Sequence, residues 1–242
     1  MEIITTTEPH IKIADTIAKS ILNQLGAGNK VLLLTAGGRA HKVYDELARL
    51  LNNNDLANLT VSLGDEHWSM NKEDDATSWS NFSDLNFWSV VIKNNGRVYD
   101  IIQGQGQDTD SDLFDTFLEE QISSGAYVIS WQGMGADGHT AGILPNTKEE
   151  FSQIYLQNRY SVAHDQGGKT PLRVTITPKL IESTKEIYVY AVGEEKKEML
   201  TKMRDLINDY PGELWEQNLH NYPVLYLALA DSTIFTDQAI TS

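Results

Sequence analysis

The stretch YVISWQGMGADGHTAGILP, Tyr127 to Pro145, constrains the fold of this chain more than any other. A β-branched and aromatic run passes into Gly133-Met134-Gly135, then Asp137-Gly138-His139, and ends at Pro145. A strand that empties into a glycine-rich turn presents backbone N–H groups at the carboxyl edge of a sheet, where α/β folds bind anions. An Asp and a His two residues apart put a candidate base inside that pocket. The glycines also match G-x-G-x-x-G, the dinucleotide fingerprint. That reading requires a long helix directly after the turn, and Pro145 intervenes. It also requires an acidic ribose contact at a strand end about 20 residues on, and none stands there. A plain surface turn would explain clustered glycines but not an Asp-Gly-His behind a buried strand.

The periodicity around this stretch predicts an α/β chain. Ile11, Ala14, Ile17, Ala18, Ile21, Leu22 and Leu25 fall at helical spacing over His10–Leu25, and Gly26 and Gly28 end the helix. Val31–Thr35 is a continuous apolar run, the pattern of a strand buried on both faces. Ala36-Gly37-Gly38 is a turn, and Val43, Tyr44, Leu47, Leu50 and Leu51 mark the next helix. Leu59–Leu63 reads as a strand ending at Gly64-Asp65-Glu66-His67. This β–turn–α–β order predicts a parallel sheet with right-handed crossovers. Ser69–Asn95 reads as a long loop with short helical pieces, partly packed over the site. Further strands are expected at Val98–Ile102, Tyr127–Trp131, Arg173–Ile176 and Ile187–Val192, with a final one at Val224–Leu229 before a polar tail. Helices are expected at Asp112–Ile122, Thr147–Leu156 and Glu194–Ile207. The expected architecture is one three-layer α/β/α domain, residues 1–242, around a mostly parallel Rossmann-like sheet.

Charge and cysteine usage narrow the function. With 19 basic against 34 acidic residues the net charge is −15, a surface that repels nucleic acid and anionic lipid. Basic residues beside a glycine turn are therefore notable, because an anionic ligand must be drawn in against the global field. The absence of cysteine removes disulfides, thiolate catalysis and Cys-ligated zinc. The start, MEIITTTEPH, lacks a basic segment followed by an apolar core, so a cytoplasmic protein is expected.

GMGADGHTAGILP resembles the G-x-G-x-D-G-H-T-A-S-L-F-P signature of the 6-phosphogluconolactonases, whose superfamily also holds the glucosamine-6-phosphate deaminases. LLLTAGGRAHKVYDEL (Leu32 to Leu47) is similar to that family's early strand, S-G-G-S-T-P turn and helix. LGDEHWSMN (Leu63 to Asn71) resembles the segment around its Asp-Glu-Arg, and Pro171 to Leu200 resembles its late arginine, strand and G-x-x-K. The resemblance implies hydrolysis of 6-phospho-D-glucono-1,5-lactone to 6-phosphogluconate, a step of the pentose phosphate pathway, with neither metal nor cofactor. The implied partner is a phosphorylated sugar, bound by a monomer or small homo-oligomer.

On this reading His139 is the general base and activates water, while glycine-turn amides, Gly135 among them, steady the oxyanion. Asp137 either orients the loop by accepting backbone N–H bonds or holds the histidine, and the loop role is the expected one. Gly37, Gly38, Arg39, Asp65, His67, Arg173 and Lys196 are expected to bind substrate, the cations meeting its phosphate. Lys196 and Arg173 match the family pattern, whereas Arg39 stands where the family more often has Ser or Thr. His67 replaces the arginine of Asp-Glu-Arg, and an imidazole cannot supply that fixed charge above neutral pH. The deaminase branch carries a glutamate before the proline that follows D-G-H. Leu144 occupies that position. A sugar-phosphate-binding relative without turnover is the non-enzymatic alternative.

Overall fold

The computed structural model describes residues 1–37, 40–169, 171–209, 217–229 and 232–240. Ten strands are found among them. Seven form a parallel sheet: β1 (Glu2–Thr5), β2 (Val31–Thr35), β3 (Leu59–Leu63), β5 (Arg97–Tyr99), β6 (Tyr127–Gly133), β9 (Glu186–Tyr190) and β10 (Thr233–Thr236). Their order is β1-β10-β9-β6-β2-β3-β5. The other three, β4 (Asp65–His67), β7 (Ser161–Asp165) and β8 (Leu172–Ile176), make a small antiparallel sheet in the order β4-β8-β7. Helices α1 (Pro9–Gly26), α2 (His41–Leu51) and α4 (Asn86–Lys93) pack on one another, and α5 (Gln107–Ser123) lies against the small sheet. The α/β class with a mostly parallel sheet is therefore as expected. No helix among the described residues is long and apolar enough to cross a membrane.

The strand order follows from burial. All five residues of β2 are buried, consistent with its unbroken apolar run at the centre of the sheet. From β2 the chain moves outward through β3 to β5, then returns to the other side of β2 with β6. The sheet thus reverses direction between β2 and β6, which pair in register from Val31↔Tyr127 to Leu34↔Ser130. A crevice opens at the carboxyl ends of strands where a parallel sheet reverses. The glycine turns after β2 and β6 stand side by side at that place. Tyr44 of α2 fixes the first of them. Its buried hydroxyl lies 2.9 Å from both Thr35 Oγ1 and the Ala36 carbonyl, and its ring packs 4.8 Å from Trp131 of β6.

Two expectations are corrected. Val224–Leu229 is not a strand: Leu225–Leu229 is a short helix, α9. A short apolar run buried on all sides has no periodicity that separates helix from strand. Val224–Leu227 are fully or almost fully buried, and Val224 N donates to the Gly138 carbonyl at 2.8 Å. The last strand is instead β10, in the tail that reads as polar, with Ile234 and Phe235 fully buried. Its parallel partner β1 lies in the opening segment, where no strand was expected. The small sheet is the second addition. Gly64 ends β3, donating to Thr35 O at 2.8 Å, and its own carbonyl accepts from Ile176 N at 3.0 Å. The chain leaves the parallel sheet there, and Asp65-Glu66-His67 pairs antiparallel with β8.

Candidate active site

A cavity of about 960 Å³ sits over the reversal point. The turn after β2 contributes Gly37, β4 contributes Asp65 and His67, and β8 contributes Arg173. The loop after β6 contributes Gly133, Met134 and His139, and the segment after β9 contributes Gly193 and Lys196. The expected convergence of strand ends is therefore found, with five segments rather than three. Gly38 and Arg39 lie outside the described residues. Gly135 and Asp137 do not line the cavity themselves but lie against His139, which does.

The loop Met134–Pro145 has little regular structure but many long-range ties. Thr140 Oγ1 donates to Gly133 O at 3.0 Å, Gly135 N to His139 O at 2.8 Å, and Gly138 N to Gly135 O at 3.1 Å. From outside, Thr175 Oγ1 of β8 accepts Gly142 N at 2.9 Å. The Tyr155 hydroxyl donates to Gly142 O and accepts from Leu144 N, each at 3.1 Å. Tyr155 belongs to α6 (Lys148–Tyr155), whose N-cap Thr147 side chain accepts Glu150 N. A loop held by so many independent elements presents its side chains in a fixed geometry.

Within that loop Asp137 Oδ1 lies 2.6 Å from His139 Nδ1 and also accepts the His139 backbone N–H at 3.2 Å. One oxygen thus fills the loop role and holds the imidazole. The hydrogen bond from His139 is the main cause that keeps the Asp137 carboxyl down at about 2. An ionised Asp137 fixes the proton on Nδ1 and leaves Nε2 as the basic nitrogen. Gly135 makes the pair possible. A Cβ there would overlap His139 Nδ1, His139 Cε1 and Asp137 Oδ1. Gly138 adopts a left-handed φ of 90° at the turn between the two residues. The N–H groups of Gly135 and Gly138 are both engaged inside the loop, so neither is free for an oxyanion.

The opposite wall is built differently. Arg173 Nη1 lies 2.8 Å from Asp65 Oδ2, and Arg173 Nε donates to Gln166 Oε1 at 3.2 Å. His67 pairs with Arg173 across β4 and β8. Burial, with the nearby guanidinium adding to it, pushes the His67 pKa below the usual imidazole range. His67 is therefore neutral at neutral pH and supplies no charge to the cavity. Strand alternation sends Glu66 away from Asp65 and His67. It is fully buried and accepts the backbone N–H groups of Ser78 and Trp79, at the start of the short helix α3 (Ser78–Phe82). Burial raises its pKa to about 8. This anchor brings Ser78 to the cavity wall.

Among the lining residues not expected from the sequence are His41, Lys42, Ser78 and Glu195. His41 and Lys42 open α2 directly after the glycine turn, and that position is the signal that could have found them. Lys196 is half-buried and ends a single 3₁₀ turn, Glu194–Lys196, which leads into α8 (Lys197–Asp209).

The profile of the family described as glucosamine-6-phosphate isomerases/6-phosphogluconolactonase matches residues 6–223. The chain belongs to that family. A putative 6-phosphogluconolactonase of Caenorhabditis elegans is 34% identical over 95 residues, a match that spans 39% of this chain and 35% of the worm protein. The crystal structure of a 6-phosphogluconolactonase from Shewanella baltica OS155 superposes with a TM-score of 0.73 at 20% identity, covering 97% of this chain and 95% of that one. A monomeric glucosamine-6-phosphate deaminase superposes equally well, with a TM-score of 0.74 at 18% identity and 98% of each chain covered. The fold is therefore common to both branches of the family, and only the site can separate them.

Proposed function

We propose that the protein hydrolyses 6-phospho-D-glucono-1,5-lactone to 6-phosphogluconate. The observation that carries this reading is the Asp137–His139 pair, set over Gly135 at the edge of the cavity. His139 Nε2 takes a proton from water as its oxygen attacks the lactone carbonyl carbon. The tetrahedral intermediate collapses by breaking the bond to the ring oxygen, and the imidazolium returns the proton to that oxygen. Asp137 stays ionised throughout and stabilises the imidazolium. Lys196 supplies positive charge for the phosphate. The names of the relatives support the same substrate.

The deaminase reading lacks support at one position. Leu144, where that branch carries its glutamate, has no acid or base to offer and is not part of the cavity wall. Its backbone N–H is instead held by Tyr155. The test is turnover of freshly prepared 6-phosphogluconolactone with the spontaneous rate subtracted, and glucosamine 6-phosphate as the parallel substrate. Lactone turnover with an inert amino sugar is expected. Release of ammonia from glucosamine 6-phosphate, with no lactone turnover above background, would reverse the assignment.

A further inference from the structure

We infer that Lys42 is a substrate contact for the phosphate group, in place of the charge that position 67 no longer provides. The inference rests on the lactonase reading for its substrate but not for its anion. Three observations lead to it.

The first is the placement of α2. The helix begins directly after the glycine turn at the reversal point. Its N-cap, Ala40, provides no side-chain cap. Its first turn holds His41 and Lys42 and no acidic residue. That is the reverse of what a helix N-terminus favours, since its partial positive charge repels a cation. Among the other helices, α5 has Asp108 and Asp110 in its first turn, α6 has Glu149 and Glu150, and α8 has Glu198, whereas α1, like α2, has no acidic residue there. The helix dipole gives no reason for a lysine at the second position of α2. An anion lying between the ammonium and the helix end would reverse the sign of the interaction.

The second is the state of the other cations on the wall. Arg173 is bound to Asp65, and His67 is neutral. Lys196 stands beside Glu195, which faces the same cavity. Lys42 has no hydrogen-bond or ion-pair partner among the described residues, and it lines the cavity.

The third is support from behind. The His41 ring stacks on Phe82 of α3, with centroids 4.9 Å apart and planes at 22°. Tyr44, one helical turn on, is fixed to Thr35 and Ala36. The backbone that carries Lys42 is therefore anchored on two sides, and only the exposed side chain has to reorganise around a phosphate.

The experiment uses the full chain and the variants Lys42→Met and Lys42→Arg. It reads the Kd of inorganic phosphate at low salt. It also reads the ratio of kcat/KM for 6-phosphogluconolactone to that for unphosphorylated glucono-1,5-lactone. Lys42→Met is expected to raise the phosphate Kd about tenfold and lower the specificity ratio by a similar factor, the usual effect of one charged hydrogen bond. Lys42→Arg is expected to recover most of both. A Lys42→Met protein with the wild-type phosphate Kd overturns the inference whatever its turnover, and so does a wild-type protein that binds no phosphate. A wild-type protein that binds phosphate through Lys42 but turns over no lactone would remove the proposed activity and leave the anion contact standing.

Discussion

The two walls of the cavity each hold an acid–base pair, and the pairs differ in almost every other respect. Asp65 and Arg173 sit on two hydrogen-bonded strands, with side chains only 13% and 12% exposed. Asp137 and His139 sit in a loop without regular structure, 57% and 39% exposed. The strand pair is neutralised within itself, and its burial means that losing one partner leaves the other stranded. The loop pair keeps one imidazole nitrogen open to the cavity, and its rigidity comes from the glycines beneath it and the side chains around the loop. The difference teaches that a close ion pair in a cleft is not by itself a sign of catalysis. The pair that is half in water, with an unengaged atom and a fixed frame, is the one suited to move a proton.

The comparison breaks most sharply at His139. His139→Ala is expected to lower lactone hydrolysis by roughly 10²–10⁴ over background while unfolding at nearly the wild-type denaturant midpoint. A folded variant with undiminished turnover would move the general base elsewhere. Arg173→Met should do the opposite. It leaves the Asp65 carboxylate almost buried without its cation and is expected to lower stability by about 3 kcal/mol in urea unfolding. An Arg173→Met protein of wild-type stability would mean that the strand pair is not part of the frame. Gly135→Ala sharpens the contrast from below the loop pair. The new methyl group must displace the imidazole and the carboxylate together, and a displacement of about 1 Å is expected to cost on the order of 10² in kcat. Unchanged kcat in this variant would show that the pair tolerates a different geometry.

The legibility of the two walls in the sequence differs for the same physical reason. Val31–Thr35, Leu59–Leu63 and Tyr127–Trp131 could be read as central strands because residues buried on both faces must be apolar throughout. The glycine turns that follow them mark the ligand edge, so Gly37 and His139 could be placed on it, whereas Lys196 was placed by its match to the family's G-x-x-K. The small sheet left no such mark. Asp65-Glu66-His67 is three polar residues, and its pairing with β8 depends on a register more than 100 residues away in sequence, as the 108-residue separation of Asp65 and Arg173 shows. For the same reason the neutralisation of Arg173 was not legible, because charge alone does not say what lies opposite. Nor was the purpose of Gly135. Its match to a phosphate-turn pattern suggested an amide donor, whereas the structure gives it a steric duty, leaving room for the histidine and aspartate above it.

His67 tests the strand wall with the smallest expected effect. Burial and the adjacent guanidinium hold its pKa below the ordinary imidazole range. The sign follows from that direction: at neutral pH the ring is uncharged, and it gains a proton only as the pH falls through its depressed pKa. If it faces the substrate phosphate, wild-type affinity should therefore improve towards acid. His67→Arg carries its charge at every accessible pH. The ratio of wild-type to variant KM cancels the ionisation of the substrate, which is common to both measurements. At pH 7.5 the variant is expected to show a KM about tenfold lower, the worth of one charge-assisted hydrogen bond. The ratio should shrink as the pH is lowered and His67 begins to protonate. A ratio that stays constant with pH but differs from one would mean that the arginine acts without any contribution from the native imidazole. A ratio of one throughout would mean that neither side chain reaches the substrate, and that the strand wall serves only to hold Asp65, Arg173 and the α3 anchor in place.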